Sequence, residues 1–542
     1  MFRARPERPV AVRIATWTVF GAVVATAGTR LCLAWTSVAI LVEKSLPDDA
    51  FYYFQIARHL AQGDGVTFDG LTATNGFHPL WLVLITPFFY LFPGNPELPI
   101  HLALALSTLL SLATLLFVYA ITAQLTGDRF AAALAVALYA FNPWVVVESL
   151  NGLETAVANL CFAAMAWYYL ACDNVWDNRR ALTLGLLAGL TALARTDNVL
   201  LFVVLLLALR AGRTPRAWVR LVLIAGVTAS VVVMPWVLWS ALRAGSPIQS
   251  SGLAVPFVIR GNIVPALGTD SLARWVVGQT LEGIRLALSY SGTPWPPLPF
   301  VLAVVALAVS DYKKDFALRR QLGQLNFMAA VLLALVLFHS SYRLYPRGWY
   351  FVPVAFLSAL YLGVLLASLH RAAPRRSTTI ASAVVVLVIA GINVVGFGTR
   401  WRTGLYPWQS EMLTAARWLG EHTDPSAKIG AFNAGIMAYW NPERTVINLD
   451  GVVNTDAFTA IRHRRLWAYI DQAQLTYVLD YQPYWRASPA TFSNAYGPYL
   501  GVSLPEHVSV VATIPGTFVS SDIVIMKTKA SRLIPEPALG IK

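Results

Sequence analysis

Eleven apolar runs, each bounded by polar or basic residues, constrain this chain more than any motif does. In hydrocarbon every backbone N–H and C=O must be satisfied internally, so such runs become helices packed in a membrane bundle. They cover residues 11–42, 99–124, 130–147, 155–172, 181–194, 198–210, 221–241, 297–310, 324–339, 349–368 and 378–398. Only 13% of the residues are charged, against about 25% in soluble domains. The formal charge of +13 would suit a nucleic-acid partner, but the excess sits in short clusters between apolar runs. That is the pattern of cytoplasmic loops and argues for no nucleic acid. Cys32, Cys161 and Cys172 lie in or beside apolar runs and offer neither a disulfide framework nor zinc-ligand spacing.

The basic clusters set the expected topology. Arg3, Arg5, Arg8 and Arg13 precede the first run, which puts the N-terminus in the cytoplasm of a multi-pass protein of the inner (cytoplasmic) membrane. Arg129, Arg179–Arg180, Arg210–Arg220, Lys313–Arg320 and Arg371–Arg376 then fall on the same side. Residues 43–98 form a long first outer loop. Its apolar stretch 79–92 is too short to span and is expected to skim or dip into the membrane. A second outer segment covers 242–295. The transmembrane domain is expected over 1–399. From residue 400 to 542 the composition becomes that of a soluble α/β domain on the outer side. Within it a helix is expected over 410–422, strands at 428–432, 445–449, 476–479, 508–514 and 523–527, and helical patterns over 455–473. Loops 433–435 and 449–454 fall at strand ends, where α/β sheets often bind ligands; turns that merely need left-handed residues are the other reading.

Where the first run surfaces, Pro47-Asp48-Asp49-Ala50 opens an amphipathic segment. Two adjacent carboxylates at a membrane boundary are costly unless solvated, capping or chemically used. Asp48 as N-cap and Asp49 in the first turn explain them structurally; a catalytic base explains them chemically. Ala50, Phe54, Ala57 and Ala61 recur at helical spacing and give a face that could lie on the membrane. The topology gathers other unusual residues on this side: Asn75 and His78, Glu154, Arg195 and Asp197, and Arg343, Tyr345 and Arg347. Arginine forks match phosphate oxygens and a carboxylate can take a hydroxyl proton, so a lipid-phosphate-linked sugar has the matching chemistry. Each residue also has a bland role. Arg195 with Asp197 could brace a hairpin, Glu154 could cap a helix, and Arg343 and Arg347 could snorkel to membrane lipids.

An acidic pair opening an amphipathic helix after the first span, then His78-Pro79 and a membrane-skimming helix, resembles the GT-C superfamily of polyprenyl-phosphate-dependent glycosyltransferases. That group includes aminoarabinose transferases, protein mannosyltransferases and arabinofuranosyltransferases. The resemblance covers about residues 12–240, and Asn151-Gly152-Leu153-Glu154-Thr155 and Ala194-Arg195-Thr196-Asp197 look like motifs of the same group. It implies a helical transmembrane fold with an outward-facing cavity, Asp48 as the catalytic acid residue with Asp49 beside it, and His78 in the place of a lysine. The sugar would pass from a polyprenyl-phosphate donor, its phosphate held by Arg343, Arg347, Arg195 and His78, to a glycan, lipid or protein acceptor, with Asn75, Glu154, Asp197 and Tyr345 binding substrate and the anomeric carbon inverted. A helix N-terminus would make Asp48 a weak base. No cofactor is required, although Asp48 and Asp49 could hold a divalent metal ion. A transporter or flippase and a non-catalytic wall-assembly scaffold are the competing classes. Few charges inside the spans and the absence of an inverted repeat weigh against transport.

Overall fold

A computed structural model describes residues 10–173, 175–267, 270–487, 494–517 and 521–529. The N-terminal arginines Arg3, Arg5 and Arg8 lie outside them. Each of the eleven apolar runs is helical: Val10–Ala34, Leu98–Thr126, Arg129–Ala140, Thr155–Ala171, Asn178–Ala194, Val199–Ala208, Pro215–Arg243, Leu298–Lys313, Asn326–Ser341, Val352–Ala372 and Arg376–Thr403. Among the described residues five helices have the length and composition to cross a membrane alone, Leu98–Thr126, Pro215–Arg243, Phe316–Ser341, Gly348–Ala372 and Arg376–Thr403.

Two runs differ from their expected form. The first is not one rod: it turns by 115° at a break before the short helix Val38–Lys44. The run 130–147 divides at Asn142-Pro143 into Arg129–Ala140 and Pro143–Glu148. Proline cannot donate to the preceding turn, and the Asn142 side chain caps the new helix by accepting from the N–H groups of Trp144 and Val145. The stretch 79–92 is the 13-residue helix Pro79–Leu91, with Pro79 in its first turn. Segment 242–295, expected as an outer connection, contains the helices Ser250–Leu267 and Asp270–Ser289. Arg30, deep in the first helix, is fully buried and donates to the Ala140 carbonyl and the Ser111 hydroxyl.

The C-terminal region is a five-stranded mixed sheet, β1 Lys428–Ala431, β2 Thr445–Asn448, β3 Tyr477–Tyr481, β4 Val508–Ile514 and β5 Ile523–Thr528. The order is β2-β1-β3-β5-β4. β1 pairs in parallel with both β2 and β3, while β5 runs antiparallel to β3 and β4. The chain therefore leaves β1 towards opposite sides, and the carboxyl ends of β1, β2 and β3 open a crevice of the kind that binds ligands in α/β sheets.

Into that crevice goes the acidic helix Asp48–Gln62. Its Ala50, Phe54 and Ala57 face does not lie on the membrane. These residues are wholly buried in one core with Leu46, Trp81 and Ile85 on one side and Ala434, Ile436 and Tyr439 of the sheet domain on the other. Phe51, Tyr52 and Tyr53, which project around the rest of its first turns, are also buried, so the apolar residues of this helix are enclosed between the two parts of the molecule.

The motif Asn151–Thr155 explains part of this packing. Gly152 adopts φ +69°, and a Cβ there would lie 2.8 Å from Leu46 Cδ2, 2.9 Å from Phe54 Cζ and 3.0 Å from Ala50 Cβ. Glycine thus lets the acidic helix seat against the bundle. Gly152→Ala should destabilise the protein by about 1–3 kcal/mol, from left-handed strain and steric overlap together. A melting temperature equal to that of the unaltered protein would contradict the packing.

Candidate active site

The two carboxylates of the pair have different surroundings. Asp48 is the first helical residue, with Pro47 at the N-cap position and no side-chain cap on this helix, so the expected local capping role is corrected. Asp48 caps another helix instead. Its carboxylate accepts from Ile436 N–H at 2.6 Å and Gly435 N–H at 3.2 Å. These are the first amides of the helix Gly435–Tyr439, whose own N-cap, Ala434, has no side-chain acceptor. Exposed amides and the dipole at a helix start favour such a carboxylate. Gly435 is needed there, because a Cβ would come within 2.3 Å of the Asp48 carbonyl. Gln409 completes the joint: it accepts from the Asp48 N–H at 2.6 Å and donates to the carbonyls of Val42 and Leu46. Burial lifts the Asp48 carboxyl to about 7 against the pull of the Ile436 amide, so the expected depression by its own helix end is overturned.

Asp49 points the other way. It is exposed, and its carboxylate has no hydrogen-bond or ion-pair partner among the described residues. Yet protein surrounds it closely enough that burial raises its pKa, with Arg347 and Arg343 lowering it and Glu154 raising it. Asp49 is thus an accessible carboxylate that feels the charge of Arg347, Arg343 and Glu154. Arg347 has the same character: it is exposed, forms no ion pair among the described residues, and stacks on Tyr345 at 4.1 Å and on Trp349 at 5.7 Å. Arg343 donates to the Ser251 carbonyl at 3.0 Å and the Tyr350 hydroxyl at 3.4 Å. Leu344 between them holds φ +61°, a costly conformation for a branched side chain. Asp49, Arg343, Arg347 and Tyr345 are thus brought together.

The remaining sequence candidates are engaged largely with one another. Arg195 binds Glu154 at 2.5 Å and Asp197 at 2.8 Å, and its guanidinium lies 4.4 Å over the Tyr350 ring. Two carboxylates neutralise it, so the expectation that Arg195 holds a phosphate is not met in this arrangement. Asp197 also meets His339 Nε2 at 2.8 Å, and Glu154 accepts from the Tyr53 hydroxyl at 2.8 Å. The Tyr53 hydroxyl in turn accepts from His78 N–H at 3.0 Å. His78 stands 3.6 Å from Glu154, and burial lowers its pKa, which keeps it neutral and ill suited to a phosphate. Asn75 is completely buried. It donates to the carbonyls of Ser246 and Ile248 and accepts from Ser250 N–H, so it anchors the start of Ser250–Leu267 instead of touching substrate.

Sequence reasoning missed the contribution of the C-terminal region. Asp450, Tyr406 and Tyr484 each lie close enough to feel the charge of Asp49 or Arg347. The signal was present in part, since loop 449–454 stood out as a strand-end loop. Among the described residues no group of three or more His, Cys, Asp or Glu side chains could hold a metal ion. Of the two carboxylates suggested for one, Asp48 is already occupied by backbone amides.

Residues 77–239 match the family model for dolichyl-phosphate-mannose-protein mannosyltransferase. Residues 401–528 match a domain of unknown function. No curated protein sequence matches the chain. Among solved structures it is similar to ArnT from Cupriavidus metallidurans bound to undecaprenyl phosphate, with TM-score 0.56 and 15% identity over 96% of this chain and 99% of that one. It is also similar to the oligosaccharyltransferase AglB from Archaeoglobus fulgidus in complex with an inhibitory peptide and a dolichol-phosphate, with TM-score 0.54 and 13% identity over 95% of this chain and 74% of that one. A further structure of the Archaeoglobus fulgidus oligosaccharyltransferase, with Zn and sulfate, has TM-score 0.54 and 13% identity over 84% of this chain and 67% of that one. At these identities the structures carry the fold. The family model thus reaches residues 77–239, and the fold over most of the chain is the one shared with these structures.

Proposed function

We propose that this protein transfers a sugar from a polyprenyl-phosphate donor to an acceptor hydroxyl, with inversion, using Asp49 as the general base. The observation that carries this reading is the setting of Asp49: an accessible carboxylate with no hydrogen-bond or ion-pair partner among the described residues, under the charge of Arg347 and Arg343. Asp48, the residue first favoured, has its oxygens committed to Gly435 and Ile436, and serves to fix the base beside it. ArnT was solved with undecaprenyl phosphate and AglB with dolichol-phosphate, which supports a polyprenyl phosphate as the lipid carrier here.

In the reaction the acceptor oxygen attacks the anomeric carbon as the bond from that carbon to the phosphate oxygen breaks. The bonding pair leaves on the polyprenyl phosphate, where Arg347 and Arg343 stabilise the added charge. The acceptor proton passes to Asp49. Burial makes Asp49 a stronger base than a free aspartate, which suits proton removal near neutral pH. A single displacement from the face opposite the phosphate inverts the centre. No step needs a metal.

The basic clusters further support a cytoplasmic N-terminus and a C-terminal domain outside the cytoplasmic membrane. A cysteine replacing the exposed Ser503, in a background lacking the native cysteines, should react with a membrane-impermeant maleimide in intact cells. Protection there would reverse the topology.

Purified protein supplied with radiolabelled polyprenyl-phosphate sugars and hydroxyl acceptors should transfer one of the sugars. Arg347→Ala should raise the donor KM about 10-fold or more, the scale of a lost charge-assisted contact. An unchanged donor KM would reassign Arg347 to the membrane surface. Because Asp49 must be ionised, kcat/KM should rise with pH through one ionisation displaced above the ~3.9 of a free aspartate. Asp49→Asn should abolish that limb. A limb at or below the ordinary value would contradict the assignment.

A further inference from the structure

The segment 342–348 carries Arg343 and Arg347 on a backbone that its own hydrogen bonds hardly define. Neither Leu344 nor Tyr345 donates to another backbone group among the described residues. The Arg347 guanidinium has no hydrogen bond or ion pair among them either, and the rings it stacks on, Tyr345 and Trp349, belong to the same stretch of chain. Its position is therefore inherited from the backbone on each side of it. On one side stands Leu344, a branched residue with φ +61°. Such a conformation persists only where the surroundings over-determine it, and it is characteristic of ligand clamps.

The surroundings that do so lie on the helix Asp270–Ser289 and the residue that follows it. Trp275 Nε1 donates to the Leu344 carbonyl at 3.0 Å. The Leu344 side chain is completely buried in a small cluster with Ile259 and Ile263, against which the Trp275 ring also packs. Further along, a Cβ on Gly283 would lie 2.9 Å from Ser340 Oγ and 3.8 Å from Pro346 Cβ. At the end, a Cβ on Gly348 would fall 2.5 Å from the Tyr290 hydroxyl. Tyr290 is itself fixed, since its carbonyl accepts from Asn142 Nδ2 at 2.7 Å, its hydroxyl donates to Glu148 and its ring stacks on Trp144 at 4.9 Å. Trp275, Gly283 and Tyr290 recur about every two helical turns, so one face of the helix follows the segment from Leu344 to Gly348. Arg347 is gripped from both sides through its backbone, while its side chain stays unbonded.

Resting on the donor reading above, we infer that Trp275 is a positioning residue for the donor phosphate. Its N–H holds Leu344 in the left-handed turn, and that turn, with Gly348 seated on Tyr290, sets where the Arg347 guanidinium meets the phosphate.

Titration of the full-length protein in nanodiscs with undecaprenyl phosphate tests this. Trp275→Phe removes the indole N–H and keeps a ring in the apolar cluster. It should weaken the lipid phosphate about 3- to 10-fold, the scale of one lost hydrogen bond. In an Arg347→Ala background the same substitution should change the affinity by less than ~2-fold, because the residue through which Trp275 acts is gone. Gly348→Ala, acting from the other end of the segment, should weaken binding in the same Arg347-dependent way, and decides the matter if Trp275→Phe does not fold. Equal affinity in a folded variant of either kind, or a loss that persists in the Arg347→Ala background, would leave these residues with packing alone and overturn the inference. Binding that is absent from the unaltered protein, or indifferent to Arg347→Ala, would instead contradict the donor reading, and the inference would fall with it.

Discussion

The rest of the structure depends on one hydrogen-bonded carboxylate. Asp48 stands at the start of one helix and caps the start of another, the helix Gly435–Tyr439, across 387 positions of sequence to Gly435. Buried polar groups must be satisfied, and a helix start buried without an acceptor costs free energy. Here each requirement meets the other. The helix Gly435–Tyr439 has no side-chain cap of its own, and Asp48 has no ion-pair partner among the described residues. Because their union fixes the first turn of the acidic helix, it also fixes where the next residue, Asp49, must point.

From that joint the division of labour follows. One aspartate is enclosed and engaged, and its neighbour is left accessible, because successive helical residues project about 100° apart. Around the accessible one, the charged groups sort into two sets. Arg195, Asp197, Glu154 and His339 pair with one another and brace Tyr53 and Tyr350. Arg343 and Arg347 have no carboxylate partner among the described residues. A phosphate would find its cations there, in a frame that the neutralised network holds still.

Much of this could be read in the sequence. The apolar runs gave their helices, because period and length are local properties. The strands of the C-terminal sheet fell where β-branched runs between turns put them. The grouping of Asp49, Glu154, Arg195, Arg343 and Arg347 followed from topology. Partnership was not legible. Whether Arg195 faces a ligand or a carboxylate depends on Glu154, 41 positions away. Asn75 looked available but anchors a segment 171 to 175 positions on. The choice between Asp48 and Asp49 had the same limit, since a five-residue helix with a glycine start carries too weak a signal to be seen as Asp48's partner. The buried face of the acidic helix was legible, but a membrane and a second domain make the same demand on it.

The central claim is that adjacent aspartates divide structure from chemistry. Measuring melting temperature and single-turnover transfer side by side on Asp48→Ala and Asp49→Ala tests it most directly. The account predicts that Asp48→Ala lowers the melting temperature, on the scale of the ~1–3 kcal/mol lost when a buried acceptor is removed. It predicts that Asp49→Ala melts as the unaltered protein does while transfer falls by about 10²-fold or more. A stable Asp48→Ala protein without transfer, beside an Asp49→Ala protein that transfers normally, would contradict it.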